Sequence, residues 1–241
     1  MKKFHLTATL LITLISMALL PSCRFHCVKG SGHHITQNLT VNKFTHIYVD
    51  GGYKVVLKQD SSYKVSIEAD DNLMQYIHAE SDGGELHIHN SRKNFCSSGE
   101  IIVNVGVGNL EELRGSGSVV FSSDGKLNTK DLKIKLSGSG KTDLDLTAAN
   151  VITESSGSSE ITLKGQATSN KVDLMGSGKI YALDFVVGAY DIHTTGASHC
   201  EINVLNSLDV NTTGASEIQY RGNPSHVNSD KTGAATITKV N

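Results

Sequence analysis

Apolar and polar residues alternate along most of this chain, and from Gly115 onward the alternation recurs as a unit. Seven segments open on a glycine followed by two small residues: Gly115-Ser116-Gly117, Gly138-Ser139-Gly140, Gly157-Ser158-Ser159, Gly176-Ser177-Gly178, Gly196-Ala197-Ser198, Gly214-Ala215-Ser216 and Gly233-Ala234-Ala235. The first glycines stand 23, 19, 19, 20, 18 and 19 residues apart, which is the self-similarity of a stacked-repeat architecture. Four positions after the glycine come Val119, Thr142, Ile161, Ile180, Cys200, Ile218 and Ile237. Six after it come Phe121, Leu144, Leu163, Ala182, Ile202, Tyr220 and Lys239. Polar residues such as Lys141, Glu160, Lys179 and Glu217 stand between and beside them. Period-two alternation predicts a half-buried strand. A second strand precedes the glycine in the second to seventh units, with Leu132, Val151, Asn170, Tyr190, Leu208 and Val227 six positions before it and Ile134, Thr153, Val172, Ile192, Val210 and Ser229 four before.

Each unit reads as strand, turn, strand and small-residue corner, too short to hold a crossover helix. Coils of about nineteen residues predict an all-β, single-domain parallel β-helix, right-handed by the rule that governs parallel crossovers. Each strand then pairs with its equivalent one unit away, roughly 4.8 Å off. The structural corners are Gly115, Gly138, Gly157, Gly176, Gly196, Gly214 and Gly233, where small residues let the chain turn sharply and let coils approach. A phosphate cradle would need the glycines to lead into a helix with a lysine nearby. Each triplet leads into a strand instead. Stacking places Lys141 beside Glu160 and Glu160 beside Lys179, a charge ladder on a solvated face. Cys200 falls in the inward column and reads as a small buried hydrophobe rather than a nucleophile. Lys239 breaks that column in the last unit, as a polar terminal cap does.

Upstream the pattern is still β but lacks the triplets. Segments 44–49, 53–57, 63–67 and 85–89 alternate, and Asp82-Gly83-Gly84 signals a turn before the last of them. A helical turn is expected over 70–78, with Asp70 or Asp71 as N-cap. Residues 91–99 read as an excursion loop. The region is expected to cover the first coil, which would otherwise expose an unpaired edge. The expected domain therefore spans 37–241, with an N-terminal part over 37–110 and the repeat coils over 111–241.

The first 22 residues stand apart. Lys2 and Lys3 precede an apolar run from Leu6 to Leu20, the layout of a signal peptide. It ends in Leu20-Pro21-Ser22-Cys23, which resembles a bacterial lipobox despite the unusual proline. On that reading Cys23 is the lipid-modified first residue of the mature chain, and 23–36 form a tether. A plain secretory signal with a coincidental cysteine is the alternative. Arg24-Phe25-His26 lack the acidic cluster that resembles a surface-export signal, so periplasmic and surface faces of the outer membrane both stay open. An exported protein could pair Cys27 with Cys96, though nothing in the spacing demands it.

Composition removes some functions. A net charge of −2 argues against a basic face for nucleic acid. Aromatic residues make up 5% of the chain and Trp is absent, which is thin material for base or sugar-ring stacking. No Cys or His spacing suggests zinc, and no cofactor motif is present. His87 and His89 share a strand face, a spacing that can begin a metal site, but no third ligand is identifiable; His33-His34 lies in the expected tether. A polysaccharide-acting enzyme, lyase or hydrolase, would gather carboxylates on one face. Asp143, Asp145 and Asp173 are the candidates, each with the plainer reading of an outward strand residue.

Three stretches and the serial triplets together carry a family resemblance. They are Val49-Asp50-Gly51-Gly52-Tyr53-Lys54-Val55, Val65-Ser66-Ile67-Glu68-Ala69-Asp70-Asp71-Asn72-Leu73 and Gly84-Glu85-Leu86-His87-Ile88. In these the chain resembles the auto-transporter adhesin head GIN domain family of Bacteroidetes exported proteins, over roughly residues 40 to 240. The resemblance implies a β-helical exported domain, often on a lipoprotein, with no catalytic residues to carry over. The expectation is a cell-envelope lipoprotein held to the membrane through Cys23, acting as a non-enzymatic binding module for a glycan or protein partner. A structural or envelope-sensing lipoprotein is the remaining alternative.

Overall fold

A computed structural model describes residues 27–91 and 94–241. The expected signal peptide and Cys23 lie outside the described residues. In chain order the elements begin with β1 (Val28–Lys29), β2 (His34–Thr40), β3 (His46–Gly51), β4 (Lys54–Gln59) and β5 (Lys64–Asp70). A four-residue helix α1 (Asp71–Met74) precedes β6 (Ile77–Asp82), β7 (Glu85–Asn90), β8 (Phe95–Cys96) and β9 (Ile102–Val107). Then come β10 (Glu112–Gly117), β11 (Val120–Asn128) and β12 (Asp131–Gly138). Four long strands follow, β13 (Lys141–Gly157), β14 (Glu160–Gly176), β15 (Lys179–Gly196) and β16 (His199–Gly214). The chain ends in β17 (Glu217–Arg221), β18 (His226–Gly233) and β19 (Thr236–Lys239).

These strands wind into a parallel solenoid with two β stretches per coil. The back sheet runs β2-β5-β9-β4-β11, continues through the first halves of β13 to β16, and ends in β17-β19. The front sheet runs β6-β7-β3-β10-β12, continues through the second halves of β13 to β16, and ends in β18. Coil-to-coil register follows the repeat, with Lys141 opposite Glu160, Glu160 opposite Lys179 and Gly157 opposite Gly176. Lys141 and Glu160 form an ion pair of 2.6 Å.

Alternation then does the packing. Ile161, Ile180, Cys200 and Ile218 stack in one inward column, each at most 1% exposed, and Val172, Ile192 and Val210 form another. Each such aliphatic side chain contributes about 1.5–3 kcal/mol on burial. Polar inward residues near the corner bond between coils: Thr194 Oγ1 donates to Thr212 Oγ1 at 2.7 Å and shares a 2.9 Å bond with Ser216 Oγ.

The corners are a column of glycine over glycine. At Gly157 φ is 112°, and a Cβ would lie 2.5 Å from the carbonyl oxygen of Gly138. A side chain there meets both a forbidden backbone region and its neighbour's carbonyl. From Gly117 to Gly214 the backbone N–H just after the corner donates to the corner carbonyl one coil back, as from Ser158 to Gly138 and Ser177 to Gly157, at 2.9 Å.

In the first repeat the corner is Gly117, not Gly115. Gly117 is opposite both Gly138 and Gly51 and has a φ of 90°, whereas Gly115 is opposite Leu136 and Val49. Gly115 is buried, where a Cβ would come within 2.9 Å of the Phe121 ring. That triplet carries a glycine at both ends, so aligning on the first is two residues out of register; Phe121 accordingly matches Thr142 rather than Leu144. Gly51 belongs to the same column. The segment before the repeats therefore includes true coils, β3-β4 and β7-β9, beneath an antiparallel lid of β2, β5 and β6.

Two further expectations change. The stretch expected as a tether over 23–36 is tied down from Cys27 onward, because Cys27 is disulfide-bonded to Cys96, Cα–Cα 5.6 Å. There β1 pairs with β8, and β2 begins at His34. The loop expected over 91–99 thus contains a strand. Asp70 sits at the N-cap of α1 but makes no side-chain cap bond; its carboxylate serves the crossing N-terminal segment instead.

Candidate binding face

The outer face of the front sheet gathers aromatic, cationic and acidic side chains in one row. In-register strands put equivalent outward positions about 4.8 Å apart, a spacing suited to stacked rings. Tyr48 on β3 lies opposite His87 on β7, with ring centroids 4.7 Å apart and planes 7° from parallel. His87 stacks on His89 at 4.3 Å, and His89 lies 5.4 Å from His78 on β6. On the other side Arg114 places its guanidinium 5.3 Å from the Tyr48 centroid, a cation–π contact. Arg114 is also held by Glu112 at 3.0 Å, and that hydrogen bond raises its pKa. Burial, then the neighbouring His87 and His78, lower the pKa of His89.

The same row continues from Arg114 to Lys135, Glu154, Asp173 and His193. Charges alternate closely enough to pair on the sheet: Lys133 with Glu154 at 2.7 Å, Lys171 with Asp173 at 3.8 Å, and Asp191 with His193 at 2.9 Å. A groove of about 480 Å³ follows this row, lined by Lys135, Glu154, Asp173 and His193 along one side and by Ser156, Met175 and Thr195 towards the glycine corner. Met175 is 63% exposed, where equivalent positions one coil away carry Ser156 and Thr195. An exposed thioether among hydroxyls is an adaptable apolar contact.

The chemistry expected from sequence is dispersed by this geometry. Asp143 and Asp145 lie on the back sheet, paired with Lys164 at 3.4 Å and Lys126 at 3.7 Å. Asp173 lies on the front sheet, so the three carboxylates do not meet. His87 and His89 do come together, but as stacked rings, with the His78 ring tilted against His89. Among the described residues no group of three or more His, Cys, Asp or Glu side chains is placed to hold a metal ion. His33 is drawn to Asp71 at 3.6 Å, and His34 to Ser98 at 3.2 Å. Cys200 is fully buried, and burial pushes its thiol up to about 12.

One polar centre was not visible in the sequence. Asp70 is fully buried and accepts from Gly32 N at 2.8 Å, Ser97 Oγ at 2.9 Å, Ser98 N at 3.0 Å and Ser98 Oγ at 2.6 Å. The Ser98 hydroxyl and then its backbone N–H hold the carboxyl well below the usual carboxylate range, against the opposing effect of burial. The partners lie 38 and 27–28 residues away, and nothing local to Asp70 announces them.

The model of the family described as "Putative auto-transporter adhesin, head GIN domain" matches residues 43–224. Among solved structures, a putative adhesin from Bacteroides fragilis aligns with a TM-score of 0.84 at 22% identity, over 88% of this chain and 100% of that one. A putative adhesin from Parabacteroides merdae aligns at 0.66 and 22% identity, over 89% and 99%. A protein from Parabacteroides distasonis described as a putative lipid binding protein aligns at 0.71 and 21% identity, over 90% and 100%. At these identities the likeness is one of fold. No curated protein matches the chain.

Proposed function

The chain belongs to the auto-transporter adhesin head GIN domain family, and from that premise we propose that it is a non-catalytic binding module carried on a cell-envelope lipoprotein. Cys23 is the lipidated residue in this reading, motivated by the Leu20-Pro21-Ser22-Cys23 box behind a charged and then apolar leader. The observation that carries the binding role is the front-sheet groove, where exposed Met175 faces a row of hydrogen-bonding charges. Such a mixture of one apolar contact with several oriented polar groups suits a glycan or a protein surface. The dispersal of Asp143, Asp145 and Asp173 over two sheets supports a non-catalytic role, because a general acid and base must share a site.

The mature protein should bind whole cells, a glycan panel or envelope extracts saturably. Met175→Asp, which places a charge at the groove's apolar contact, should weaken that binding at least tenfold without lowering stability. Absence of saturable binding to all three would remove the reading's main support. Turnover of a polyuronide, lost in Asp173→Asn, would replace it with an enzymatic one.

A further inference from the structure

The N-terminal end of the solenoid carries little slack between the proposed anchor and the folded domain. Cys27 is bonded to Cys96, and Gly30 N donates to Cys96 O at 2.9 Å. Two residues further on, Gly32 N is fixed by the buried Asp70 carboxylate. From His34 the chain is a strand of the back sheet, paired over seven residues with β5. Only residues 24–26 separate Cys23 from the disulfide. Four residue steps at full extension reach roughly 14 Å.

We propose that this end of the solenoid docks on the lipid surface, with the coil axis directed away from the bilayer. The docking surface is β2, the α1 turn and the segment around Ser98, all at the end of the stack where β1 enters. It is polar and solvent-exposed at His33, Gln75 and Ser98, and among its described residues Ile35, 38% exposed, is the one large apolar side chain that is exposed. Such a surface rests against headgroups rather than inserting, so the covalent leash sets the orientation. Among the described residues the front sheet has ten strands along the axis. Docking by the end therefore carries its groove outward, with the last coil roughly 43 Å from the first strand. A flexible tether of fourteen residues would fix no such geometry.

This inference rests on the reading of Cys23 as the anchor, and the two are tested separately. Mass spectrometry of the protein extracted from cell membranes reports whether Cys23 carries acyl chains; an unmodified Cys23 sinks the anchor and with it docking in the cell. For the geometry, the chain beginning at Cys23 is coupled through that thiol to maleimide headgroups in phosphatidylethanolamine–phosphatidylglycerol vesicles. Cys27 and Cys96 are paired and Cys200 is buried, so Cys23 is the reactive site. Hydrogen exchange should slow several-fold in 30–40, 71–76 and 94–100 relative to the uncoupled protein, and remain unchanged in β13 to β18. A twelve-residue Gly/Ser insertion between His26 and Cys27 leaves the fold intact and should erase that protection. Protection absent from this end, or undiminished by the insertion, would overturn the proposal.

Discussion

The two ends of the solenoid solve one problem in opposite ways. A stack of coils must stop somewhere, and each end leaves a row of unpaired backbone groups and an open core. At the N-terminal end, β5 and β6 run against the coil strands, and with β2 laid antiparallel on β5 they close the stack. A disulfide, a four-residue helix and the buried Asp70 carboxylate hold that lid on. At the C-terminal end nothing covers the last coil among the described residues, and every residue of β18 is exposed. There the inward positions themselves change: Val227, Ser229 and Lys231 stand where Leu208, Val210 and Thr212 stand one coil earlier. Lys239 lies opposite Tyr220. One end is sealed by added structure, and the other by making its last layer compatible with water.

This contrast predicts where the molecule is fragile. The largest effect should follow loss of the Cys27–Cys96 bond, which closes a loop of 69 residues. Cys27→Ser with Cys96→Ser should cost up to about 4 kcal/mol on chain-entropy grounds. Hydrogen exchange should show protection lost over 27–40 and 94–100 while β13 to β16 keep theirs. Uniform loss along the chain would mean that the lid and the coils fold as one unit.

Next comes the corner column. Gly157→Ala should cost about 3 kcal/mol, since the backbone lies at positive φ and the Cβ meets the Gly138 carbonyl. In the lid, Gly83→Ala is the matched control. Gly83 also has a positive φ, but a Cβ there meets nothing within 4 Å, so about 1 kcal/mol is expected. Urea titration of both variants separates steric cost from backbone cost.

Acid should loosen the sealed end before the open one. The folded pKa of His89 is lowered, so the folded state binds fewer protons there than the unfolded chain. Its contribution is fully present above the unfolded value of 6.5 and is lost as pH falls through the folded value. Asp70 acts lower on the scale: its contribution is complete above its unfolded value of 3.8 and disappears as pH falls through its depressed folded value. Stability of His89→Gln measured from pH 8 to 5 should be flatter than that of the unsubstituted protein. An unchanged slope would remove the imidazole stack from the account.

The smallest effect is expected at the open end. Val227 is 45% exposed, and Val227→Ser should change stability by less than about 0.5 kcal/mol. Lys231→Val should leave folding intact yet promote association, because it replaces a charge by an apolar side chain on an uncovered edge. Light scattering against concentration reads that outcome.

The repeats were legible because each inward residue is repeated by its neighbours. Seven noisy copies of one pattern fix a register that one copy would not, and the Lys141–Glu160 contact could be named from spacing alone. At Gly115 two glycines in one triplet leave that register ambiguous, and only the pairing of coils shows Phe121 opposite Thr142. The lid was less legible because its contacts join unlike segments once each. Asp70 looked like a helix cap because that is the local role of an aspartate before a short apolar run. Its true partners, Gly32 and Ser98, are remote in sequence. The groove is hidden for a related reason: Met175 stands out only beside Ser156 and Thr195, and that adjacency belongs to the stack.

The column of corner glycines has one more consequence. Every coil from Gly117 onward shares the corner register, with shifts confined to β11–β13, β14–β15 and β15–β16 away from the corner, so a coil of the β13–β14 kind can be repeated without changing that column. Inserting or deleting nineteen residues between Gly157 and Gly176 would leave both flanking coils with matching partners. Such a change would move the far end by roughly 4.8 Å. The fold is thus a ruler with fixed graduations, whose length can vary by whole units while the lid and the last coil stay as they are.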